Sequence, residues 1–175
     1  MKNTNSSIMP TYGKRKLEFS HGEGVFLFTS QGKKYLDFGS GIAVNSLGHC
    51  NPILVEALNN QSKKIWHSSN LYINKNQEEY AQLLCENSFA DKVFFTNSGT
   101  ESIECGIKLI KSYHHHYKNT NKKEIITFEG AFHGRTFGSL SAGQKEKDKD
   151  IFQPLLQGFK KIKFNNIDKL KENIN

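Results

Sequence analysis

The chain has 175 residues, 36% of them apolar and 23% charged, which suits about one domain with a core of its own and neither a disordered tail nor a membrane protein. No apolar run approaches the roughly 20 residues that a bilayer span needs. The net charge of +7 sits at the two ends: residues 1–16 carry four basic groups and no acid, residues 145–175 eight and five, and residues 17–144 twelve of each. No basic face speaks for nucleic acid.

Met1–Lys16 lacks an apolar stretch, so no secretory leader is expected. The three cysteines (Cys50, Cys85 and Cys105) are an odd count without paired spacing, which fits a reducing cytoplasm. Of the 24 basic residues 22 are lysines, and the only arginines are Arg15 and Arg135. A guanidinium kept in so Lys-rich a chain draws attention to its planar, two-pronged donor geometry.

In chain order, residues 1–16 read as a polar arm. Val25–Phe28 and Lys34–Phe38 read as a hairpin around a turn containing Gly32. Gly39-Ser40-Gly41 breaks the pattern. Asn51-Pro52 is a helix start, with Asn as N-cap and Pro at the first helical position. That helix is expected to run to about Ile65 and to bury Ile53, Leu54, Ala57, Leu58 and Ile65. A second helix fits Gln77–Asn87, with Tyr80, Leu83 and Leu84 inward.

The pattern then turns to α/β. Lys92–Thr96 is predicted as a buried parallel strand, followed by a turn at Asn97–Thr100 and a helix to about Tyr117. Glu124–Phe128 is the next strand, completing a βαβ unit. A helix is predicted at Arg135–Ala142, a charge run at 144–150, a strand at Phe159–Phe164 and a helix at Asn166–Asn173. Two parallel strands alone leave sheet edges bare, so the chain reads as the first part of something larger.

Two segments carry candidate chemistry. Asn97-Ser98-Gly99-Thr100-Glu101 places glycine and two hydroxyls where a strand meets a helix, an arrangement that suits an anion. The same residues also spell Ser98-x-x-Glu101, a capping box that needs no ligand, and on these residues alone the cap is the simpler reading. Ala131–Thr136 follows the second strand, at the end of the sheet where α/β proteins bind ligands. There Phe132 offers a flat face for a heteroaromatic ring and Arg135 a fork for a carboxylate. The alternatives are core packing and a surface ion pair. His114-His115-His116 points to different sides of a helix and reads as a solvated helix end, so no metal is expected.

The segments TNSGTESIE, AFHGRT, GKKYLDFGSGIAVNSLGHCNP and MPTYGK, in this order of interest and spread over nearly the whole chain, resemble the class III pyridoxal-phosphate-dependent aminotransferases. The resemblance implies an α/β fold, the N-terminal portion of fold type I. Residues 1–50 would be the arm and hairpin of the small domain, and 51–175 the first part of the large domain. It implies a cytoplasmic homodimer and pyridoxal 5′-phosphate as cofactor. Gly99 and Thr100 match the pair that binds the cofactor phosphate, with Ser98 beside them. Phe132 matches the aromatic that stacks on the ring, and Arg135 the arginine that binds the substrate carboxylate.

The implied reaction moves an amino group from N-acetylornithine to 2-oxoglutarate, yielding glutamate, in arginine biosynthesis. Ornithine, succinylornithine, succinyldiaminopimelate and 4-aminobutyrate are the alternative donors, and a non-catalytic fragment is the alternative role. Ile42 stands where ornithine-specific members carry a tyrosine, which favours an acylated, uncharged amine. The Schiff-base lysine of the family is expected beyond Asn175, since no lysine here lies in a segment resembling its motif. The chain alone is therefore expected to be inactive.

Overall fold

The computed structural model describes residues 7–13, 15–118, 122–143 and 151–174. The chain divides into two compact units, Met1–Asn76 and Gln77–Asn175. The charge run at 144–150 and the start of the polar arm lie outside the described residues.

The first unit is built on an antiparallel meander of β1 (His21–Glu23), β2 (Phe26–Phe28) and β3 (Lys34–Leu36), in that spatial order. The expected hairpin is present, with Phe26 opposite Leu36 and Phe28 opposite Lys34. Gly32, at φ +79°, supplies the left-handed residue of its turn. The Thr29 hydroxyl accepts from the Lys33 N–H at 3.2 Å inside that turn. Strand β1 was not foreseen, because three residues are too few to show an alternating pattern.

After β3 the chain makes a single turn, α1 (Ser40–Ala43), whose φ values of 44°, 62°, 63° and 63° wind it left-handed. For the β-branched Ile42 this is a strained conformation. Asp37 holds the turn's entrance: its Oδ1 accepts from Gly39 N at 3.0 Å and from Ser40 N at 2.9 Å. Helix α2 (Pro52–Ser62) starts as the sequence demands, with the Asn51 side chain accepting from Ile53 N at 3.1 Å. It stops short of Ile65, and no residue on it is buried. Ile53, Leu54, Ala57, Leu58 and Ile65, expected inward, are all exposed. The apolar spacing is right for an amphipathic helix, but no described segment covers the stripe.

Helix α3 spans Lys75–Glu86, all but its first two residues in the second unit, with Tyr80 and Leu83 exposed and Leu84 only half-buried. Lys92–Thr96 is not a strand. A strand needs a hydrogen-bonded neighbour, and among the described residues this segment joins no ladder; Phe94 is 76% exposed. Helix α4 (Gly99–Tyr113) follows and relaxes into a π-helical turn, His114–Lys118.

The βαβ unit therefore forms one element later than the pattern predicted. Strands β4 (Ile125–Phe128) and β5 (Phe159–Ile162) pair in parallel, Ile125 opposite Phe159 and Phe128 opposite Ile162, with α5 (Phe137–Ala142) between them in sequence. Helix α6 (Ile167–Asn173) closes the chain, its first turn capped by Asn166 Oδ1 accepting from Lys169 N at 2.9 Å. The core of this unit is small: Ile107 on α4, Ala142 on α5 and Ile162 on β5, joined by buried Thr127, Ser139 and Ser141. Helix α4 packs against α5, and β4 lies alongside β5.

Candidate active site

The N-terminal end of α4 is organised by its own side chains. The Ser98 Oγ accepts from Glu101 N at 3.2 Å, and the Glu101 carboxylate reaches back to accept from Asn97 N at 2.6 Å. The capping box is thus formed, one residue displaced on its return arm. The Thr96 and Ser102 hydroxyls meet at 2.6 Å and brace the turn from the other side.

The cap leaves room for an anion. Gly99 and Thr100 lie in the first turn, where N–H groups have no acceptor within the helix and the dipole is positive. A Cβ on Gly99 would meet nothing within 4 Å, so the backbone there faces open space. A serine hydroxyl that accepts one bond still carries a proton to donate. Donors of this kind, on a helix of 15 residues, fit a phosphate.

The second segment, Ala131–Thr136, leaves β4 through a turn in which Gly130 takes φ +77° and Ala131 N donates to Phe128 O. The Phe132 ring is 61% exposed, and the Arg135 guanidinium lies 6.0 Å from its centroid. Arg135 was expected to open the helix. It stands instead one residue before the cap, because Thr136 takes the N-cap position with its side chain accepting from Ser139 N. Arg135 is thereby in loop rather than helix.

The two segments touch. Gly134 is buried at φ +130°, and a Cβ there would fall 2.3 Å from Thr100 Oγ1. Close by, the Glu104 carboxylate accepts from the Thr136 hydroxyl and, at 3.2 Å, from Ser139 N. Phosphate-type donors, an exposed aromatic face and a guanidinium are thus carried by one compact unit. Sequence reasoning missed Gly134, Thr136 and Glu104. The signal for Thr136 was available as Thr-x-x-Ser ahead of a helix, whereas the partners of Glu104 lie more than 30 residues away.

Ile42 belongs to the first unit and is 95% exposed on its left-handed turn. That turn is tied down by a hydrogen bond between Asp37 Oδ2 and His49 Nε2 at 2.8 Å. The His49 hydrogen bond, then the Ser40 N–H, hold the Asp37 carboxyl below its usual value of 3.8. Among the described residues no group of three His, Cys, Asp or Glu side chains is placed to hold a metal ion, and no helix is long and apolar enough to cross a membrane.

A parallel strand pair with helices beside it makes this unit α/β. The Aminotransferase class-III family matches residues 9–175, and the chain belongs to that family. An acetylornithine aminotransferase of Agrobacterium fabrum is 51% identical over 164 residues, which are 94% of this chain and 41% of that protein. An N-acetylornithine aminotransferase structure from Stenotrophomonas maltophilia superposes with a TM-score of 0.73 at 32% identity, over 93% of this chain and 39% of the other. The ornithine aminotransferase structure of Toxoplasma gondii ME49 gives 0.87 at 23% identity, over 93% and 39%, a likeness of fold. The chain thus spans about 40% of the length of these relatives.

Proposed function

We propose that the whole protein is a pyridoxal-phosphate-dependent transaminase that moves the δ-amino group of N-acetylornithine to 2-oxoglutarate, giving N-acetylglutamate semialdehyde and glutamate, a step of arginine biosynthesis. The supporting observation is the seam between Thr100 and Gly134, which brings the N-terminal turn of α4 and the Phe132–Arg135 loop together within one compact unit. Identity of 44–51% with curated acetylornithine aminotransferases points to the same donor.

Each residue then has a task. The Gly99 and Thr100 N–H groups, with the Ser98 and Thr100 hydroxyls, hold the cofactor phosphate. Phe132 lays its ring against the pyridine. Arg135 binds the carboxylate of each substrate in turn, donating two parallel hydrogen bonds. Bound pyridoxal phosphate supplies the carbonyl that takes up the amino group and a ring that acts as electron sink. None of the 22 lysines lies in a segment resembling the family's lysine motif, so proton transfer is not assigned to any residue of 1–175. Residues 1–50 and 51–175 are assigned to the small and large domains of a cytoplasmic homodimer.

Ile42 sets the donor. An isoleucine offers no hydrogen bond to a free α-ammonium group and suits an acylated, uncharged nitrogen. The test is kcat/KM of the whole protein with N-acetylornithine, ornithine and 4-aminobutyrate, read as glutamate formed from 2-oxoglutarate. N-acetylornithine is expected to lead. A clear preference for free ornithine overturns the role of Ile42, and no glutamate from any donor overturns the function.

A further inference from the structure

We propose that Glu104 is a positioning residue: its carboxylate, clasped to Thr136 and Ser139, fixes the Phe132–Arg135 loop against the N-terminal turn of α4. This rests on the site roles given above. Glu104 lies one helical turn beyond Thr100, on the same face of α4. Its Oε1 accepts from the Thr136 hydroxyl and from Ser139 N at 3.2 Å, so one carboxylate oxygen holds both the cap of α5 and its first turn.

The fit is close on both sides. A Cβ on Gly138 would fall 2.5 Å from Glu104 Oε1 and 2.7 Å from Oε2. A Cβ on Gly134 would fall 2.3 Å from Thr100 Oγ1 and 2.7 Å from Ser139 Oγ. Two glycines thus let the loop and α5 lie down on the Thr100–Glu104 face, and Ser139 is wholly buried in the seam. Thr136 immediately follows Arg135, so whatever holds Thr136 sets where the guanidinium begins. The upstream end of the loop is fixed separately, by Glu129 N donating to Ile162 O at 2.9 Å on β5. With Glu104 removed, the loop stays on the sheet at one end and loses its tie to α4 at the other.

Three variants of the whole protein test this. Glu104→Gln keeps an oxygen acceptor for both donors, Glu104→Ala removes it, and Thr136→Val removes the hydroxyl from the opposite side. Amide exchange at Ser139 in the cofactor-free protein reads the clasp through an N–H shared between Glu104 Oε1 and Thr136 Oγ1, the latter itself held by Glu104. It is expected to rise at least tenfold in Glu104→Ala and stay within about threefold of wild type in Glu104→Gln. KM for both the amino donor and 2-oxoglutarate is expected to rise about tenfold in Glu104→Ala and in Thr136→Val, with kcat changed less and Glu104→Gln close to wild type. Unchanged exchange at Ser139 in Glu104→Ala overturns the clasp. Faster exchange with unchanged KM values, or a Glu104→Gln variant as impaired as Glu104→Ala, overturns the positioning role. A wild-type protein that forms no glutamate overturns the functional reading, while the exchange data still decide the clasp.

Discussion

Gly134 lies so close to Thr100 that a Cβ on the glycine would fall 2.3 Å from the threonine hydroxyl oxygen. Its φ of +130° is also one that side-chain-bearing residues avoid. Gly134→Ala must therefore open the seam between the loop and α4. The expected loss of stability is about 2–4 kcal/mol, from overpacking together with backbone strain. Thermal unfolding of the whole protein checks it, and a variant as stable as wild type contradicts the packing described.

Arg135 is placed in loop beside the exposed Phe132 ring. Arg135→Lys keeps the charge and loses the two-pronged geometry. Losing one charge-assisted bond costs about 1.5–3 kcal/mol, so KM for both substrates is expected to rise roughly tenfold or more. Affinity for the cofactor is expected to change little. Steady-state kinetics decide it; unchanged KM values for both substrates remove Arg135 from the carboxylate site.

The Asp37–His49 pair makes a prediction for pH. Because the native carboxyl titrates below its usual 3.8, its contribution to stability is present at neutral pH and is lost as pH falls through the lowered native value. Asp37→Asn keeps an acceptor for the Gly39 and Ser40 N–H groups but loses the carboxylate charge. The stability gap between wild type and variant is expected to be present at pH 7 and to shrink as pH falls below about 4. Urea unfolding at several pH values measures the gap, and one that is constant from pH 7 to pH 2 contradicts the assignment.

Residues 1–175 on their own are expected to show no transaminase activity and poor solubility. Leu71, Ile73 and Phe89 are each more than 80% exposed, and large bare apolar patches invite association. Size-exclusion chromatography with an activity assay tests both points. A monodisperse, active preparation of these residues contradicts them.

The legible parts of the chain were those written in local chemistry. Asn51-Pro52, Ser98-x-x-Glu101 and the Gly32 turn each carry their own partners within four residues, and each is realised. Lys92–Thr96 shows the limit: its composition is that of a buried strand, but a ladder is a property of two segments. The stripes on α2 and α3 show the same limit for helices, since spacing tells which side is apolar and not what covers it. At the site, Phe132 and Arg135 were visible as residue types. What joins their loop to Thr100 was not, because Glu104 and Thr136 are 32 residues apart and neither belongs to a motif that names the other. Gly134 and Gly138 are glycines for reasons found only in the packing.

The cofactor site is tested most directly by absorbance titration of the whole protein with pyridoxal phosphate, comparing wild type with Thr100→Ala and Phe132→Ala. Loss of a phosphate donor or of a stacking face each costs about 1–3 kcal/mol, so both variants are expected to bind roughly five- to a hundredfold more weakly. Wild-type affinity in both would place the cofactor away from α4 and the Phe132 loop, and would contradict the account.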